Sequence, residues 1–438
     1  MIMKVYPNGI RNTLLLILTL IFSLTASSQK ADSLAAVYLN DNRWFELQDL
    51  YKTDSTSISP FLRLFSRAML HHVFNKPQEA TDDIIGLIRG YQNEMGSSTT
   101  FSMMLMLIRD YADAGNYAKA ASTAKTFTDQ LEGKVDDEVI TEFRHQQSLY
   151  EELAKQELFL ASDSKSHEIR YKWTKVGESE DSLIHITGSV NGHKDKFVFD
   201  TGAGYNVITP KLAEKYGLRI LKSTVATKGT KLGTGNIAIV DSIRVGDIIM
   251  RNVPFAVLDL NAGNERIGSA TSTFSLILGQ PFLQQFGRYT IDTDRQTITF
   301  EQEVEQKETR HNIYRMSTLY MEVEHSNKHF AINFDTGASR STFGYAYYKD
   351  FGPEINREGK WDIEGMAGYG GISYESIFRM PKITLGICNK KCILEDTEVA
   401  ALPSQNGLTD GYGRLGLDFL RQWQKIVVDN KNMTIRVY

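Results

Sequence analysis

The pentapeptide Phe-Asp-Thr-Gly-Ala occurs twice in this chain, at residues 199–203 and 334–338. Each copy follows an apolar, strand-like run and presents an acid where that run ends. A carboxylate at the end of a buried strand is costly unless a partner compensates for the lost water. The chain must therefore fold so that both acidic turns find such compensation.

The two pentapeptides belong to a longer internal repeat. From about residue 165 onward, short alternating apolar runs broken by Gly, Asn and Asp predict β-strands. Asp200 precedes Gly279 by 79 residues, and Asp335 precedes Gly416 by 81. The repeated segments are 181–204, 239–247 and 275–300 in the first copy, and 317–339, 380–388 and 413–438 in the second. The sequence thus predicts two similar β halves, joined near residues 301–312.

One acid per half predicts that the two carboxylates meet face to face between the halves. Like charges at hydrogen-bonding distance cannot both ionise, so such a pair shares one proton. One carboxylate can then take a proton from a water while the other polarises an amide carbonyl. This chemistry hydrolyses peptides with neither a metal nor a covalent nucleophile.

These residues resemble the motifs of the aspartic peptidases. The segments that carry the resemblance are VFDTGAG (198–204) with LILG (276–279), and NFDTGAS (333–339) with RLG (414–416). The resemblance covers roughly residues 165–438 and implies a bilobal all-β fold made of two retropepsin-like halves. It also implies that Asp200 and Asp335 are the catalytic acids. A duplicated β-barrel that keeps the turns for packing alone would leave a buried like-charge pair without a purpose.

The resemblance assigns supporting roles to three further positions in each half. A Thr after each Asp interlocks with its counterpart, the next Gly permits the tight turn, and a later Gly packs beneath the Asp loop where a side chain would collide with it. These residues are Thr201, Gly202 and Gly279 in the first half, and Thr336, Gly337 and Gly416 in the second.

The residue after each turn glycine departs from the pepsin-like pattern. Pepsin-like enzymes carry Ser or Thr there, whereas this chain has Ala203 and Ala338, as retroviral proteases do. A hydroxyl at this position would favour the charged carboxylate, so its absence favours the protonated form. We expect a working pH that is mildly acidic to near neutral. Ser339 could supply part of the missing hydroxyl in the second half.

Two glycine-rich stretches follow the acids, at residues 231–237 and 366–373. Gly235 and Gly370 each lie 35 residues after their Asp. The stretches predict mobile hairpin tips that cover the cleft, as in a retroviral dimer fused into one chain; ordinary turns are the alternative. The residues assigned to these flaps are Gly233, Gly235, Tyr369 and Gly370, with Tyr369 best placed to close on a substrate.

The region before the repeat shows helical periodicity, most clearly in residues 101–127. The large and small residues there resemble a tetratricopeptide hairpin, in which Ala lets two helices approach and Gly makes the turn. A plain helical bundle is an equal alternative. The residues that carry this pattern are Tyr111, Gly115, Tyr117, Ala120, Ala124 and Phe127.

The amino terminus is typical of a cleaved secretory signal. Lys4 and Arg11 precede an apolar run over residues 13–26, which leads into small and polar residues. The run is short for a membrane span, although an uncleaved anchor is the alternative. We therefore expect an exported protein, periplasmic or secreted, that begins at Gln29 after cleavage.

The chain has two cysteines, Cys388 and Cys392. An oxidising compartment would favour a disulfide between them across a hairpin turn, with free thiols as the alternative. His71 and His72 are adjacent on a helix and point in different directions, which is poor for binding one metal. We expect no metal or cofactor.

The predicted organisation is a signal peptide (1–28), a helical domain (29–162) and two peptidase lobes (163–302 and 303–438). A formal net charge of -4 without a basic stripe argues against a nucleic-acid partner. The expected partners are a peptide or protein substrate, and a protein recruited through the helical domain. A peptide- or glycopeptide-binding protein that does not cleave is the alternative function, and a propeptide or inhibitory cap is the alternative role of the helices.

Overall fold

The computed structural model describes residues 26–155, 158–162, 164–175, 182–228, 232–259, 275–368, 371–403 and 411–438. The chain divides into two compact units, with the boundary between Glu157 and Leu158. This boundary precedes the predicted one at residue 162 because the strand Phe159–Leu160 already pairs with a strand of the second unit.

The first unit is helical, as predicted. Its helices are α1 (Ala26–Asn40), α2 (Trp44–Asp54), α3 (Pro60–Val73), α4 (Pro77–Gly90), α5 (Gln92–Asp113), α6 (Tyr117–Leu131) and α7 (Asp137–Leu153), with a 3-10 turn at Ser55–Ser57. Pro60 and Pro77 begin their helices, where a missing N–H has no consequence. No helix within the described residues is long and apolar enough to cross a membrane.

Helices α5 and α6 form a hairpin at the tetratricopeptide-like pattern. Gly115 adopts a left-handed conformation (φ +78°) in the turn between them, and Asn116 caps α6 by accepting from the Lys119 N–H at 3.0 Å. Ala120 and Ala124 are fully buried, which allows close helix packing. The hairpin fits both a repeat array and a simple bundle, so the tetratricopeptide resemblance stays a prediction.

His71 and His72 lie on α3 and face different carboxylates. His71 Nδ1 is 2.9 Å from Asp83, and His72 Nδ1 is 2.6 Å from Asp110. Burial lowers the pKa of His71, partly offset by Asp83. These histidines connect α3 to its neighbouring helices.

The second unit contains two β lobes, defined as lobe 1 (residues 158–302) and lobe 2 (303–438). The strands of lobe 1 are β1 (Phe159–Leu160), β2 (Ser166–Lys175), β3 (Ser182–Val190), β4 (His193–Phe199), β5 (Val207–Ile208), β6 (Arg219–Lys228), β7 (Leu232–Val245), β8 (Ile248–Val257), β9 (Leu276–Leu278), β10 (Arg288–Asp292) and β11 (Thr297–Glu301). Its helices are α8 (Pro210–Lys215) and α9 (Gln280–Leu283).

Lobe 2 has a similar series of elements. Its strands are β12 (Ile313–Arg315), β13 (Leu319–His325), β14 (Lys328–Phe334), β15 (Thr342–Phe343), β16 (Lys360–Gly368), β17 (Gly371–Ile387), β18 (Lys390–Ala400), β19 (Gly413–Leu415), β20 (Lys425–Asp429) and β21 (Thr434–Val437). Its helices are α10 (Tyr345–Glu358) and α11 (Leu417–Leu420).

Strand pairing repeats between the lobes. In lobe 1, β4 pairs in parallel with β9, β9 pairs with β5, and β5 pairs with β8. In lobe 2, β14, β19, β15 and β18 pair in the same order and directions. The hairpin β6–β7 of lobe 1 matches the hairpin β16–β17 of lobe 2. The duplication read from the sequence is therefore a duplication of sheet topology.

The lobes are joined through one continuous sheet. Among the described residues, its order is β21-β20-β10-β11-β2-β3-β4-β9-β5-β8-β7-β6, with β1 added on β8. Strand β10 pairs with β20 from Arg288↔Asp429 to Asp292↔Lys425. Arg288 also contacts the Asp429 carboxylate at 3.1 Å. This pairing holds the two lobes together directly.

The predicted disulfide is not formed. Cys388 lies in the two-residue turn of the β17–β18 hairpin, whereas Cys392 lies within β18 opposite Leu385. The Cys388 thiol donates to the Ile435 carbonyl at 3.2 Å, and the Cys392 thiol donates to Gln422 at 3.4 Å. Both are free, and burial raises the pKa of the Cys392 thiol to about 12. Proximity in sequence suggested a bridge, but strand register directs the two sulfurs to different partners.

Candidate active site

Two equivalent strands carry the acids to the junction of the lobes. Strand β4 ends at the buried Phe199, and β14 ends at the buried Phe334. Each following Asp is tied to the neighbouring strand by its own amide. Asp200 N–H donates to the carbonyl of Leu278 in β9 at 3.0 Å, and Asp335 N–H donates to Leu415 in β19 at 2.9 Å.

The turn glycines make room for the opposite acid. Gly202 N–H donates to Asp200 Oδ1 at 2.9 Å, and Gly337 N–H donates to Asp335 Oδ1 at 3.0 Å. A Cβ on Gly202 would overlap the Asp335 carboxylate, and a Cβ on Gly337 would overlap that of Asp200. The N–H of each glycine therefore donates to the Asp of its own turn. The absence of a side chain on the glycine leaves space for the Asp of the other turn.

The two threonines interlock across the lobes. Thr201 N–H donates to Thr336 Oγ1, and Thr336 N–H donates to Thr201 Oγ1, both at 3.0 Å. The Thr201 hydroxyl donates to the Phe334 carbonyl at 2.7 Å, and the Thr336 hydroxyl donates to the Phe199 carbonyl at 2.8 Å. Both side chains are fully buried. This is the interlock that the family resemblance implies, and it fixes the spacing of the two turns.

The later glycines pack beneath the Asp loops. A Cβ on Gly279 would lie 2.6 Å from the Ala203 carbonyl oxygen, and one on Gly416 would lie 2.7 Å from that of Ala338. Those carbonyls accept from the amides that follow: Gln280 N–H at 2.8 Å and Leu417 N–H at 2.9 Å. A side chain at either glycine would displace the loop that holds the acid.

Two further positioning residues escaped the sequence analysis. Asn206 Oδ1 accepts from Gly279 N–H at 3.0 Å, and Ser341 Oγ accepts from Gly416 N–H at 2.9 Å. In lobe 2, Asp418 orients Ser341 by accepting from its hydroxyl at 2.6 Å. Asn206 and Ser341 each lie six residues after their Asp. This equal offset of two polar residues is the feature of the sequence that could have identified them.

The acid pair is electrostatically coupled. The Asp200 and Asp335 carboxyl groups face each other across the lobe junction, close enough for each to affect the ionisation of the other. Burial, and then the neighbouring Asp335, raise the pKa of Asp200 well above its usual range, although the amides of Gly202 and Ala203 oppose the shift. Two carboxyl groups in this arrangement retain a proton at a pH where an exposed Asp is ionised.

Lobe 2 places a cation beside its acid. Arg414 Nη1 lies 3.2 Å from Asp335 Oδ2. Arg414 occupies the position in β19 that Ile277 occupies in β9, because Phe334 and Leu415 pair as Phe199 and Leu278 do. The sequence motif contained this arginine in RLG, but only the structure shows that it reaches the carboxylate.

Each of the two glycine-rich stretches predicted as flaps lies at a β-hairpin, β6–β7 in lobe 1 and β16–β17 in lobe 2. The β6–β7 hairpin turns between Lys228 and Leu232, so Gly233 and Gly235 lie along β7 after the tip. Gly235 pairs with Val225 and leaves no room for a Cβ beside Leu258. The prediction that Gly235 forms a hairpin tip is therefore wrong.

In lobe 2, the β16–β17 hairpin turns between Gly368 and Gly371. Tyr369 and Gly370 lie outside the described residues. The spacing of 35 residues thus placed Gly235 within a strand and not at a tip. The spacing failed because the helix before the hairpin is shorter in lobe 1, where α8 has 6 residues, than in lobe 2, where α10 has 14, so the lobe 1 hairpin turns sooner after its Asp.

Comparison with known proteins gives limited similarity. A family model described as "Aspartyl protease" matches residues 186–282, which contain Asp200, Gly202 and Gly279. No curated protein matches the chain. The matched segment spans the residues that build lobe 1's share of the site, so this lobe is similar to aspartyl proteases where the site is formed.

Three solved structures show weaker likeness. A retropepsin-like aspartic protease from Rickettsia conorii is 22% identical, over 33% of this chain and 92% of that one, with a TM-score of 0.21. Conglutin gamma, a basic 7S globulin from lupine seeds, is 6% identical over 60% and 92%, with a TM-score of 0.36. The basic 7S globulin from soybean is 8% identical over 60% and 92%, with a TM-score of 0.34. The function must be inferred from the site.

Proposed function

We propose that this protein is an aspartic endopeptidase in which Asp200 and Asp335 form the catalytic dyad. The observation that carries the proposal is the pair of facing carboxyl groups, held between two turns that interlock through Thr201 and Thr336. A buried pair of acids is destabilising, and a purely structural turn has no need of it. The similarity of residues 186–282 to aspartyl proteases supports the same reaction class.

The proposed reaction needs one proton on the dyad. The ionised carboxylate takes a proton from a water, whose oxygen attacks the peptide carbonyl, while the protonated carboxyl donates to the carbonyl oxygen. Collapse of the tetrahedral intermediate breaks the C–N bond as the amine is protonated by the acid that first received the water's proton. The raised pKa of Asp200 supports a protonated carboxyl at mildly acidic pH.

The threonine interlock and the paired glycines contribute rigidity. Catalysis by proton transfer depends on holding both acids at a constant separation from the water and the carbonyl. In this site, four hydrogen bonds join Thr201, Thr336 and the carbonyls before the acids, and they hold the two Asp turns at a fixed distance from each other. The scaffold therefore suits repeated turnover.

Cleavage should be tested with the purified full chain and a mixed peptide library from pH 3 to 8, with products identified by mass spectrometry. We expect internal cleavage that is blocked by pepstatin, a transition-state analogue, and absent in Asp335→Asn. Peptides that bind without being cut would support the non-catalytic binding function instead. Cleavage that persists in Asp335→Asn would exclude the dyad.

The proposed location is outside the cytoplasm. The charged and then apolar sequence of residues 4–26 supports a signal peptide that is cleaved before Gln29. Amino-terminal sequencing of the protein from its native host tests this directly.

The helical unit is proposed to recruit a protein partner or substrate, since the residues of the reaction lie in the β lobes.

A further inference from the structure

The two acids have different electrostatic surroundings. Asp335 has a guanidinium 3.2 Å from its Oδ2, supplied by Arg414. The matching position beside Asp200 is Ile277, a buried side chain with no charge. An otherwise duplicated site is therefore asymmetric at the atoms that exchange protons.

Charged groups on the neighbouring elements of lobe 2 have partners of their own. On the loop after β14, Arg340 Nη1 lies 3.3 Å from Asp396. On α11, Asp418 accepts hydrogen bonds from Ser341. On β18, Glu398 lies 3.5 Å from Arg379. Across the lobe junction, Asp335 faces Asp200 itself.

We propose that Arg414 is a positioning residue that holds Asp335 as the ionised member of the dyad and leaves the shared proton on Asp200. This inference rests on the proposed peptidase function. The physical reason is that a cation at hydrogen-bonding distance stabilises the charged form of a carboxylate. The lobe without the cation must then carry the proton.

The assignment states which carboxyl group gives a proton and which takes one in each step of the reaction. Asp335 takes a proton from the attacking water as the water oxygen bonds to the carbonyl carbon of the substrate. At the same time, Asp200 gives its proton to the carbonyl oxygen. In the second step, Asp335 passes its proton to the leaving nitrogen as the C–N bond breaks, and Asp200 recovers a proton from the hydroxyl of the intermediate. The dyad ends as it began, with the proton on Asp200.

The test uses three variants of the full chain. Arg414→Ile copies lobe 1, Arg414→Lys keeps the charge, and Arg340→Gln removes a nearby arginine that pairs with Asp396. Both kcat and kcat/KM should be measured against pH for the most readily cut library peptide. In parallel, carboxyl titration should be followed by 13C NMR with labelled Asp, assigned by comparison with Asp335→Asn.

We expect Arg414→Ile to move the acidic limit of activity upward by about half to one pH unit, because the half-exposed guanidinium is partly screened. Arg414→Lys should restore most of the wild-type profile, and Arg340→Gln should leave it unchanged. The Asp335 resonance should titrate at higher pH in Arg414→Ile than in wild type. Should Arg414→Ile not fold, Arg414→Gln, which removes the charge but keeps a polar side chain, should show the same upward shift, and an unchanged profile in that variant would overturn the proposal.

An unchanged pH profile in Arg414→Ile, with only KM raised, would overturn the proposal and make Arg414 a substrate contact. A wild-type chain that cuts no peptide would refute the proposed function, but the NMR titration would still decide whether Arg414 controls the charge of Asp335. The two failures are therefore distinguishable.

Discussion

The two lobes share one scaffold beneath the acids but differ in the row of residues that runs outward from them. Residues paired across adjacent strands project from the same face of a sheet. In lobe 1 this row is apolar and buried: Val198, Ile277, Val207, Ala256 and Ile237. In lobe 2 the equivalent row is polar and partly exposed: Asn333, Arg414, Thr342, Glu398 and Arg379.

This difference shows which features the acid pair requires. The turn glycines and the threonine interlock are the same in both lobes because each supports the opposite acid as well as its own. The outward row has no such reciprocal contact, so it is free to differ. A duplicated fold can therefore hold two equal acids and still present them with unequal surroundings.

The largest expected effect comes from breaking the equality of the acids. Asp200→Asn and Asp335→Asn should each reduce kcat by about 10^3-fold or more, because neither carboxyl can replace the other. Peptide cleavage by each variant at its own optimum pH checks this. Near-normal turnover in either one would mean that the lobes do not share the reaction.

The same substitution predicts a pH-dependent change in stability. The folded pKa of Asp200 is raised above the ordinary value of 3.8, so the folded state loses stability as pH rises from there toward the raised pKa. Asn does not titrate. Asp200→Asn should therefore gain up to about 1.4 kcal/mol per pH unit over wild type in that window, and the gain should vanish below it. Chemical denaturation between pH 3 and 7 measures the gain, and a constant difference would contradict it.

Next in size are the turn glycines. Gly202→Ala and Gly337→Ala each place a methyl group against the opposite carboxylate, which should cost about 1 to 3 kcal/mol of stability and remove activity. Gly352→Ala in α10 is the matched control, since its nearest neighbour would be 3.9 Å away. Thermal unfolding and cleavage assays should show similar losses of stability and activity in the two turn variants. If one of them kept wild-type stability and activity, the two turns would not be reciprocal.

The threonine interlock should lower stability equally in both lobes and reduce activity less than the glycine variants do, because no group is placed against a carboxylate. Thr201→Val and Thr336→Val each leave a buried amide and a carbonyl without a partner, at a cost of about 1 to 3 kcal/mol. Thr→Ser at either position keeps the hydroxyl and serves as the control. Because each hydroxyl contacts the other residue's amide, the double Val variant should lose a different amount from the sum of the two single variants. Additive losses measured by denaturation would argue against the interlock.

The smallest effect concerns the alanines after the turn glycines. Ala203→Ser or Ala338→Ser adds a donor near its carboxylate and should lower the optimum pH by about half a unit. Ala→Cys at the same positions is the control, because a thiol has similar size but is a weak donor. A pH profile that moves upward in the Ser variants would contradict this account.

The amino-acid sequence was sufficient to predict the parts of the protein that depend on local chemistry. Alternating apolar runs predicted strands, three- and four-residue periodicity predicted helices, and two Asp-Thr-Gly turns predicted an acid pair between similar halves. These inferences succeed because strand ends and tight turns depend on a few adjacent residues. The recurrence of Gly279 and Gly416 at nearly equal intervals after their Asp also predicted one contact between residues far apart in sequence, that of each glycine with its Asp loop.

Features that depend on strand register became visible only in the folded chain. The β17–β18 register separates Cys388 from Cys392 and gives their thiols different partners. The pairing of β14 with β19 brings Arg414 to Asp335, although 79 residues separate them in sequence. Register is set by packing across the whole sheet, so a one-residue change alters which side chains meet. The presence of two acids could therefore be predicted from the sequence, but the different charge around each became visible only once the strands were aligned.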